Sequence, residues 1–445
     1  MSEANQERGS FMGRRERFFH EIMSLNPEVT GSCHQVVVHF PDGRATNFVV
    51  DCGQYQEEAY NYRNKEKFPF DPEKIEFVLI THNHADHMGR LSQLVKEGFK
   101  GKIYVTTETE KLIITALRDA FKIMKEDTKK HNEKMLYSEN DLEETISRIT
   151  PCDFNETNYI DRNIKVIFLM NGHMLGASMI RVQISYPGEE DMCISFTGDY
   201  KPNNIFFEVE EIPQWIYDEP TEIVVESTYG YMNSTEVKYH MEDDIENATK
   251  AGKTILMPVF AQERAQGMLF MLKCMQNTGK ISKRIPIRLD GSLAQEYTKL
   301  YMASELLKKF NKNDFLPENF EFISKENREM ILANEDQQII LTTSGMMDHG
   351  PAQIYLERYV ERRDVLIYVP GYTAPDTLGY KLQHPNSKNQ VVINGKEYYI
   401  NAQVLTTNEA SGHAKADELI ALLQRFKNPI LIFVNHGRKD VLQLF

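Results

Sequence analysis

Short apolar runs separated by turn residues recur along the first part of the chain. They cover residues 35–39, 47–50 and 76–80. Runs of this length between turn signals predict β-strands. The pattern then starts a helix at Met88, and residues 108–149 place apolar side chains at helical spacing with Lys and Glu between them. This second pattern predicts a long, mostly helical cover with one solvated face.

The strand pattern resumes after residue 160, and the order of elements changes beyond Gly230. Four strands are predicted at residues 164–169, 177–184, 192–196 and 222–225. Strands at 254–257, 285–289, 338–341 and 365–369 then alternate with helices that begin near 262, 292 and 352. Such alternation predicts a parallel sheet with helices on its faces. Residues 390–404 are strand-like again, residues 414–426 are amphipathic, and residues 429–434 form a last strand.

Length and composition narrow the classes of protein to consider. The 445 residues exceed one ordinary core and predict two domains, or one domain with a large insertion. The 41% hydrophobic and 26% charged content is typical of a soluble globular protein. No apolar run approaches the ~18 residues of a membrane helix. The polar first 17 residues lack the apolar core of a signal peptide, so we expect a cytoplasmic protein without membrane contact.

Cysteine usage and charge remove further classes. The five cysteines are scattered and form no CxxC pair, which indicates neither a cysteine zinc cage nor a disulfide framework. The net charge of −14 argues against nonspecific coating of nucleic acid. A nuclease stays compatible with this charge, because divalent metals can serve an anionic substrate inside an acidic protein. A basic strip could also contact phosphates, or be an ordinary solvated face; its residues are Lys280, Lys283, Arg284 and Arg288.

Four candidate metal ligands lie within six residues, directly after the strand predicted at 76–80. They are His82, His84, Asp86 and His87. Imidazole and carboxylate together suit zinc and related divalent ions. Because alternate residues of a loop can turn to the same side, the first two could hold one metal while the last two face a second. A single histidine is more often structural, but four specified residues at this spacing match by chance on the order of once per million positions.

Three more candidate ligands lie near the ends of later strands. They are His173, Asp199 and His436, each beside a glycine that lets the backbone turn tightly. A carboxylate at Asp199 could bridge two cations, and His436 could complete the second metal site. Taken alone, each of these residues is as easily explained by a structural role.

Together these segments resemble the ordered motifs of the metallo-β-lactamase superfamily, and in particular of its β-CASP nucleases. Asp51 matches the first motif, residues 82–87 the second, His173 the third and Asp199 the fourth. The three further β-CASP motifs A, B and C are matched by residues 225–230 with Glu226, by residues 411–413 with His413, and by His436. The match runs in the family's order from about Thr30 to the C-terminus, and it is similar above all to bacterial relatives of the cleavage and polyadenylation specificity factor nuclease subunit.

Two residues depart from the family pattern. Lys415 stands two residues after the motif B histidine, where the family often has a carboxylate. Arg438 follows Gly437 at a position where relatives often have Glu. Neither change removes a predicted metal ligand, so both bear on substrate contacts.

The resemblance implies an α/β fold and a two-metal centre. We expect a metallo-β-lactamase αββα sandwich, residues 1–227 and 401–445, with an inserted β-CASP α/β domain, residues 228–400. The implied cofactors are two Zn²⁺ ions, and Asp51 would orient the ligand loop from behind. The implied ligands are His82, His84, Asp86, His87, His173, Asp199 and His436.

The implied activity is hydrolysis of RNA phosphodiester bonds by water that two metal ions activate. The predicted catalytic residues are Asp86, Glu226 and His413, with His413 as the general acid that Glu226 orients. Predicted contacts to the scissile phosphate are Ser344, Gly345 and Ser411.

The substrate class leaves alternatives. A histidine at motif C favours RNA, most simply single-stranded, over the DNA of the repair branch. A DNA nuclease is the first alternative and a small-molecule hydrolase the second, although an insertion of roughly 170 residues is more than a small substrate needs. A noncatalytic partner in an RNA-processing complex is the third, but members of that kind have lost ligands that this chain retains. Family members often form dimers, so a homodimer is also considered.

Overall fold

The computed structural model describes residues 10–12, 19–26, 29–57, 59–309, 315–375 and 377–442. The first 17 residues, for which no leader was predicted, lie outside this set apart from 10–12. The chain forms two compact units. The first comprises residues 1–204, 208–234 and 413–445, and the second comprises residues 205–207 and 235–412.

A seven-stranded sheet forms one layer of the first unit. Its strands are β1 (Ser10–Met12), β2 (Phe19–Ser24), β3 (His34–His39), β4 (Ala45–Val50), β5 (Phe77–Leu79), β6 (Lys102–Thr106) and β7 (Ile149–Cys152). They lie side by side in chain order. Pairing is antiparallel from β1 to β4 and parallel from β4 to β7. The apolar pattern predicted β3, β4 and β5 and missed β1, β2, β6 and β7.

Helices follow the parallel strands of this sheet. They are α1 (Ala85–Met88), α2 (Leu91–Lys96), α3 (Thr107–His131) and α4 (Glu139–Ser147). The hydroxyl of Thr106 caps α3, whose buried face carries Leu112, Ile113 and Leu117. The predicted helical cover is confirmed as two helices. It divides because Asn132 takes a left-handed backbone conformation (φ 54°) and Ser138 starts α4 with a capping box.

A six-stranded sheet forms the facing layer. Its strands are β8 (Thr157–Tyr159), β9 (Ile164–Met170), β10 (Ser178–Ile184), β11 (Met192–Phe196), β12 (Thr221–Glu226) and β21 (Pro429–Asn435). The order is β21-β12-β11-β10-β9-β8. β21, from the end of the chain, pairs parallel with β12, so that Glu226 lies opposite Asn435. The helices of this half are α5 (Gln214–Asp218), α12 (Ala416–Leu423) and α13 (Lys439–Leu442).

The core of the first unit lies between the two sheets. Phe48 and Leu79 of the first sheet and Phe168 and Phe196 of the second are all buried in one cluster. Burying a side chain of this size contributes about 1.5–3 kcal/mol relative to leaving it exposed. A second cluster covers the outer face of the six-stranded sheet with residues of α5 and α12. This layering confirms the expected αββα sandwich.

The second unit is built on a parallel sheet. Its strands are β13 (Thr254–Pro258), β14 (Ile287–Asp290), β15 (Phe320–Ile323), β16 (Ile339–Thr342), β17 (Val365–Val369) and β20 (Gln403–Thr406), in the order β15-β14-β16-β13-β17-β20. The helices are α6 (Met241–Lys250), α7 (Arg264–Asn277), α8 (Ser292–Ala303), α9 (Arg328–Ala333), α10 (Pro351–Tyr359) and α11 (Leu378–Gln383). β18 (Gln390–Ile393) and β19 (Lys396–Tyr399) form a hairpin.

Apolar clusters cover the parallel sheet with residues of α6, α7 and α8 in one and of α10 and α11 in the other. The inserted α/β architecture is thus confirmed. β15 was not predicted; it is the edge strand of the sheet, and three of its four residues are not fully buried, whereas β14 and β16 are buried throughout. Within the part of the chain that the structure describes, no helix is long and apolar enough to span a bilayer.

Candidate metal centre

The predicted ligands lie just beyond the carboxyl ends of strands in both sheets of the first unit. His82 comes three residues after β5, His173 three residues after β9, and Asp199 three residues after β11. His436 directly follows β21. Because the two sheets face each other, these strand ends meet at one rim of the sandwich. Sequence segments far apart in the chain therefore contribute to a single cluster.

Three histidines and one carboxylate form the first group of ligand atoms. Nδ1 of His84 lies 3.1 Å from Nε2 of His82 and 3.3 Å from Nε2 of His173. Oδ2 of Asp199 lies 3.5 and 3.6 Å from the same two Nε2 atoms. Burial lowers the pKa of His84 to about 4 and that of His82 well below its ordinary value. The imidazoles of His82 and His84 are therefore neutral at pH 7, which is the state that binds metals.

A second group lies on the other side of Asp199. Nε2 of His436 is 3.2 Å from Nε2 of His87 and 3.6 Å from Oδ2 of Asp86. Oδ1 of Asp199 lies 3.2 Å from Nε2 of His87 and 3.6 Å from Nδ1 of His436. The two oxygens of one carboxylate thus face two separate sets of donors.

The Asp199 carboxylate supplies the test of whether this cluster fits a metal. Oδ1 is fully buried, lies 3.2 Å from Nε2 of His87, and has no hydrogen bond of good geometry among the described residues. An unsatisfied buried carboxylate oxygen is costly unless a cation balances it. Burial opposes a charge on His87, but the carboxylates of Asp199 and Asp51 outweigh it and hold the pKa of His87 well above its ordinary value. The cluster therefore attracts positive charge, and its nitrogen and oxygen donors fit divalent metal binding.

Asp51 holds the ligand segment from behind. Its Oδ2 accepts a hydrogen bond from Nδ1 of His87 at 2.7 Å, and its Oδ1 accepts one from the backbone N–H of Thr81 at 2.8 Å. With Nδ1 engaged in this way, Nε2 of His87 faces Asp199. A carboxylate behind a ligand histidine fixes the tautomer and the ring orientation. Asp51 itself has a left-handed backbone (φ 60°), which turns its side chain inward at the end of β4.

The ligand segment is part loop and part helix, which corrects the expectation of a loop throughout. His82 and His84 precede α1, whereas Asp86 and His87 lie within this single helical turn. Two backbone hydrogen bonds hold this turn against the residues just before β3 and just after β4. The Asp86 carbonyl accepts from Ser32 at 2.8 Å, and the His87 carbonyl accepts from Cys52 at 2.7 Å.

Glu226 and His413 lie at the edge of the same cluster. Nδ1 of His413 is 2.9 Å from Oε2 of Glu226, while Oε1 of Glu226 accepts from the backbone N–H of Tyr200. Nε2 of His413 faces inward, 3.9 Å from Oδ2 of Asp199. Burial lowers the pKa of His413, but the Glu226 and Asp199 carboxylates outweigh it and raise the pKa above its ordinary value.

Three residues of the cluster were not identified from the sequence. The Thr81 hydroxyl lies 3.1 Å from Nδ1 of His82 and 2.9 Å from Oδ2 of Asp51. The Thr228 hydroxyl lies 3.1 Å from Nδ1 of His436. The Asn171 side chain donates to the backbone carbonyl of Asp199 at 2.7 Å. Each lies within three residues of a predicted site residue, and this closeness was the available signal.

The three predicted phosphate contacts lie in the second unit. Ser344 and Gly345 follow β16, and Ser411 is buried two residues before His413 in the chain. Their contact with substrate stays a prediction. The basic strip is largely neutralised, since Lys280 pairs with Glu242 and Lys283 with Glu318 at 2.7 Å. Arg288 is buried and pairs with Glu321.

Three family models match successive parts of the chain. The metallo-beta-lactamase superfamily model matches residues 30–178, and the Beta-Casp domain model matches residues 265–382. The model described as the Zn-dependent metallo-hydrolase RNA specificity domain matches residues 397–445. The order of these matches is that of a hydrolase domain interrupted by an insertion.

Curated relatives resemble nearly the whole chain. Ribonuclease TTHA0252 of Thermus thermophilus is 30% identical over 432 residues, covering 93% of this chain and 92% of the relative. Transcription termination factor FttA of Methanocaldococcus jannaschii is 29% identical over 439 residues, covering 93% of this chain and 66% of the relative. Probable RNase MJ4 of the same organism is 27% identical over 401 residues, covering 88% of this chain and 88% of the relative. This chain thus spans slightly less than two thirds of the termination factor's length.

Proposed function

Since the chain belongs to the β-CASP nucleases of the metallo-β-lactamase superfamily, we propose that it is a zinc-dependent ribonuclease that hydrolyses phosphodiester bonds of single-stranded RNA. The observation that carries the proposal is the position of Asp199. Its two carboxylate oxygens face two separate groups of imidazole and carboxylate donors. A shared carboxylate between two cation sites is the arrangement that two-metal phosphodiesterases use.

The chain's own residues provide for two ions. His82, His84 and His173 would hold the first, Asp86, His87 and His436 the second, and Asp199 would bridge them. Mixed nitrogen and oxygen donors suit Zn²⁺ in catalytic sites. When bound, a pair of divalent ions supplies Lewis-acid chemistry, which acidifies water and stabilises negative charge on phosphoryl oxygens. Asp86 is proposed as a catalytic residue because its carboxylate would help to hold the second ion, together with His87 and His436.

His413 is assigned the protonation of the leaving sugar oxygen. The assignment rests on its orientation, because Nδ1–H donates to Glu226 while Nε2 points toward Asp199. Glu226 favours the protonated imidazole and fixes the direction of Nε2. The backbone N–H of Tyr200 in turn fixes Glu226. His413 and Glu226 thus lie beside the proposed metal ligands but are not needed to hold the two ions.

RNA is the substrate class that the comparisons favour. Two relatives are named as ribonucleases, and the model at residues 397–445 is described as an RNA specificity domain.

Ser344, Gly345 and Ser411 are proposed to contact the scissile phosphate. A cytoplasmic location and a homodimer are also proposed, and sedimentation of the purified chain would test the latter.

A substrate comparison tests the proposed function. The purified protein is incubated with single-stranded RNA, single-stranded DNA of the same sequence and a chromogenic lactam, with and without chelator, and its metal content is measured. We expect about two zinc ions per chain and RNA cleavage that the chelator abolishes. Asp199→Asn should remove both the metal and the cleavage. Cleavage of DNA but not RNA would replace the proposal with a DNA nuclease, and lactam turnover alone would replace it with a small-molecule hydrolase.

A further inference from the structure

Two tyrosines continue outward from the His413 imidazole. The ring centroid of Tyr229 lies 6.1 Å from that of His413, and the ring centroid of Tyr231 lies 5.9 Å from that of Tyr229. Tyr229 is partly buried, whereas 45% of Tyr231 is exposed. The aromatic path therefore starts at the proposed general acid and ends at a ring that is open to solvent. Both tyrosines lie in the unit that contains the metal cluster.

A cation lies over each ring. Nζ of Lys415 is 3.6 Å from the centroid of Tyr229, and the guanidinium carbon of Arg438 is 5.1 Å from the centroid of Tyr231. Lys415 is buried, and Arg438 is exposed and also pairs with Asp440 at 2.9 Å. These two cations are the residues that depart from the family pattern. Positive charge over an aromatic face is stabilised by the ring quadrupole.

The backbone around Tyr231 is held on both sides. The carbonyl of Met232 accepts a hydrogen bond from the N–H of Ala416 at 2.9 Å. The N–H of Ser234 donates to the side chain of Asp417 at 2.8 Å. Tyr229 forms a bridge with Lys415. Because this segment is anchored, little conformational entropy is lost when a ligand binds its exposed ring.

We propose that Tyr231 and Arg438 form a nucleobase-stacking subsite for the RNA on the leaving-group side of the scissile phosphate. The inference rests on the proposed ribonuclease function, because His413 marks the leaving-group side. A nucleobase offers a flat π face to the tyrosine ring, and the planar guanidinium of Arg438 stacks on such a face as well. Two ring-to-ring steps, of 6.1 and 5.9 Å, separate Tyr231 from the imidazole that is proposed to protonate the leaving sugar oxygen. The base stacked there is that of the leaving nucleotide or of its immediate neighbour.

Steady-state kinetics on a mapped cleavage site test the subsite. Once the cleavage position in one RNA is known, matched RNAs are made that lack the base at one or the other of the two leaving-side nucleotides. Tyr231→Ala should raise KM for the intact RNA about 5-fold or more, since stacking contributes roughly 1–3 kcal/mol per base, and leave kcat within about twofold. Tyr231→Phe, which keeps the ring, should restore KM. Arg438→Gln should raise KM by a smaller factor.

The abasic RNAs separate stacking from a structural effect of the mutation. With the wild-type protein, one of the two abasic RNAs should have a raised KM. This rise should equal the rise that Tyr231→Ala causes with intact RNA. For Tyr231→Ala, loss of that base should cause no further rise. The control is Tyr159→Ala. Tyr159 is 74% exposed on β8, an edge strand of the six-stranded sheet, and Nζ of Lys165 lies 5.8 Å from its ring centroid. The KM of this variant should equal that of the wild type.

Two outcomes are distinguishable. If the wild type cleaves RNA and Tyr231→Ala shows an unchanged KM, or the base penalty is the same in both proteins, the subsite is wrong and the ribonuclease function stands. If the wild type cleaves no RNA, the proposed function fails, and the subsite on which it rests fails with it.

Discussion

Nδ1 of His413 and Oε2 of Glu226 are 2.9 Å apart, and this contact joins residues separated by 187 positions in the chain. The Glu226 side chain is 1% exposed and the His413 side chain is 20% exposed. A histidine held in this way presents one nitrogen to the carboxylate and the other to the cluster of candidate ligands around Asp199. The roles proposed for the site lead to four predictions that can be checked on the purified chain.

Replacing His413 by Ala should affect substrates according to their leaving group. On RNA, kcat should fall by about 10²–10⁴-fold, the usual contribution of a general acid. On bis(p-nitrophenyl) phosphate it should fall only a few-fold, because nitrophenolate leaves without needing a proton. Zinc content, measured by mass spectrometry, should stay unchanged. Equal losses on the two substrates would mean that His413 does not protonate the leaving oxygen.

Replacing Glu226 by Gln should lower kcat on RNA by about 10²-fold or more, because the amide no longer favours the protonated imidazole. Glu222→Gln is the matched control. Glu222 is a buried carboxylate on the same strand, and it pairs with Nε2 of His20 at 2.9 Å. That variant should lose stability, measured by thermal unfolding, but keep its kcat per folded molecule. A similar kcat loss in both variants would point to a structural effect.

Replacing Asp51 by Asn should weaken metal binding. The amide cannot reproduce the charge that holds Nδ1 of His87, so zinc affinity should fall by about 10–100-fold. Competition with a chromogenic chelator measures this change. Asp42→Asn, which alters an exposed carboxylate paired with Arg44, should leave the affinity unchanged. An Asp51→Asn protein with wild-type zinc affinity would refute the supporting role of Asp51.

Replacing Gly53 by Ala should displace the ligand segment. A Cβ atom at this position would lie 1.6 Å from the Asp86 carbonyl oxygen, so α1 would have to move. Overpacking of this kind costs about 1–3 kcal/mol or more, and zinc content should fall with it. Gly371→Ala is the control, because its Cβ would meet no atom closer than 3.7 Å. Thermal unfolding and metal analysis compare the two variants, and equal behaviour would argue against the close approach at Gly53.

Residue chemistry and short-range pattern were accessible from the sequence. Most strands and helices in both units follow in order from apolar periodicity, but strands such as β2 and β15 do not. The residues of the cluster could be chosen because their types, spacing and positions at strand ends match what divalent metals require. The donors Thr81 and Thr228 could not be chosen in this way, because a hydroxyl beside a ligand is common in any sequence.

The sequence by itself thus indicated which side chains are candidate metal ligands and that an α/β unit interrupts the fold that carries them. Only the tertiary structure decided that the two oxygens of Asp199 face different donor groups, that Asp51 engages Nδ1 of His87, and that Arg438 lies over Tyr231. The physical reason is that periodicity reports burial within a few turns of chain. Periodicity does not report that β12 pairs with β21, because the two strands are about 200 residues apart in the chain and meet only when whole sheets pack.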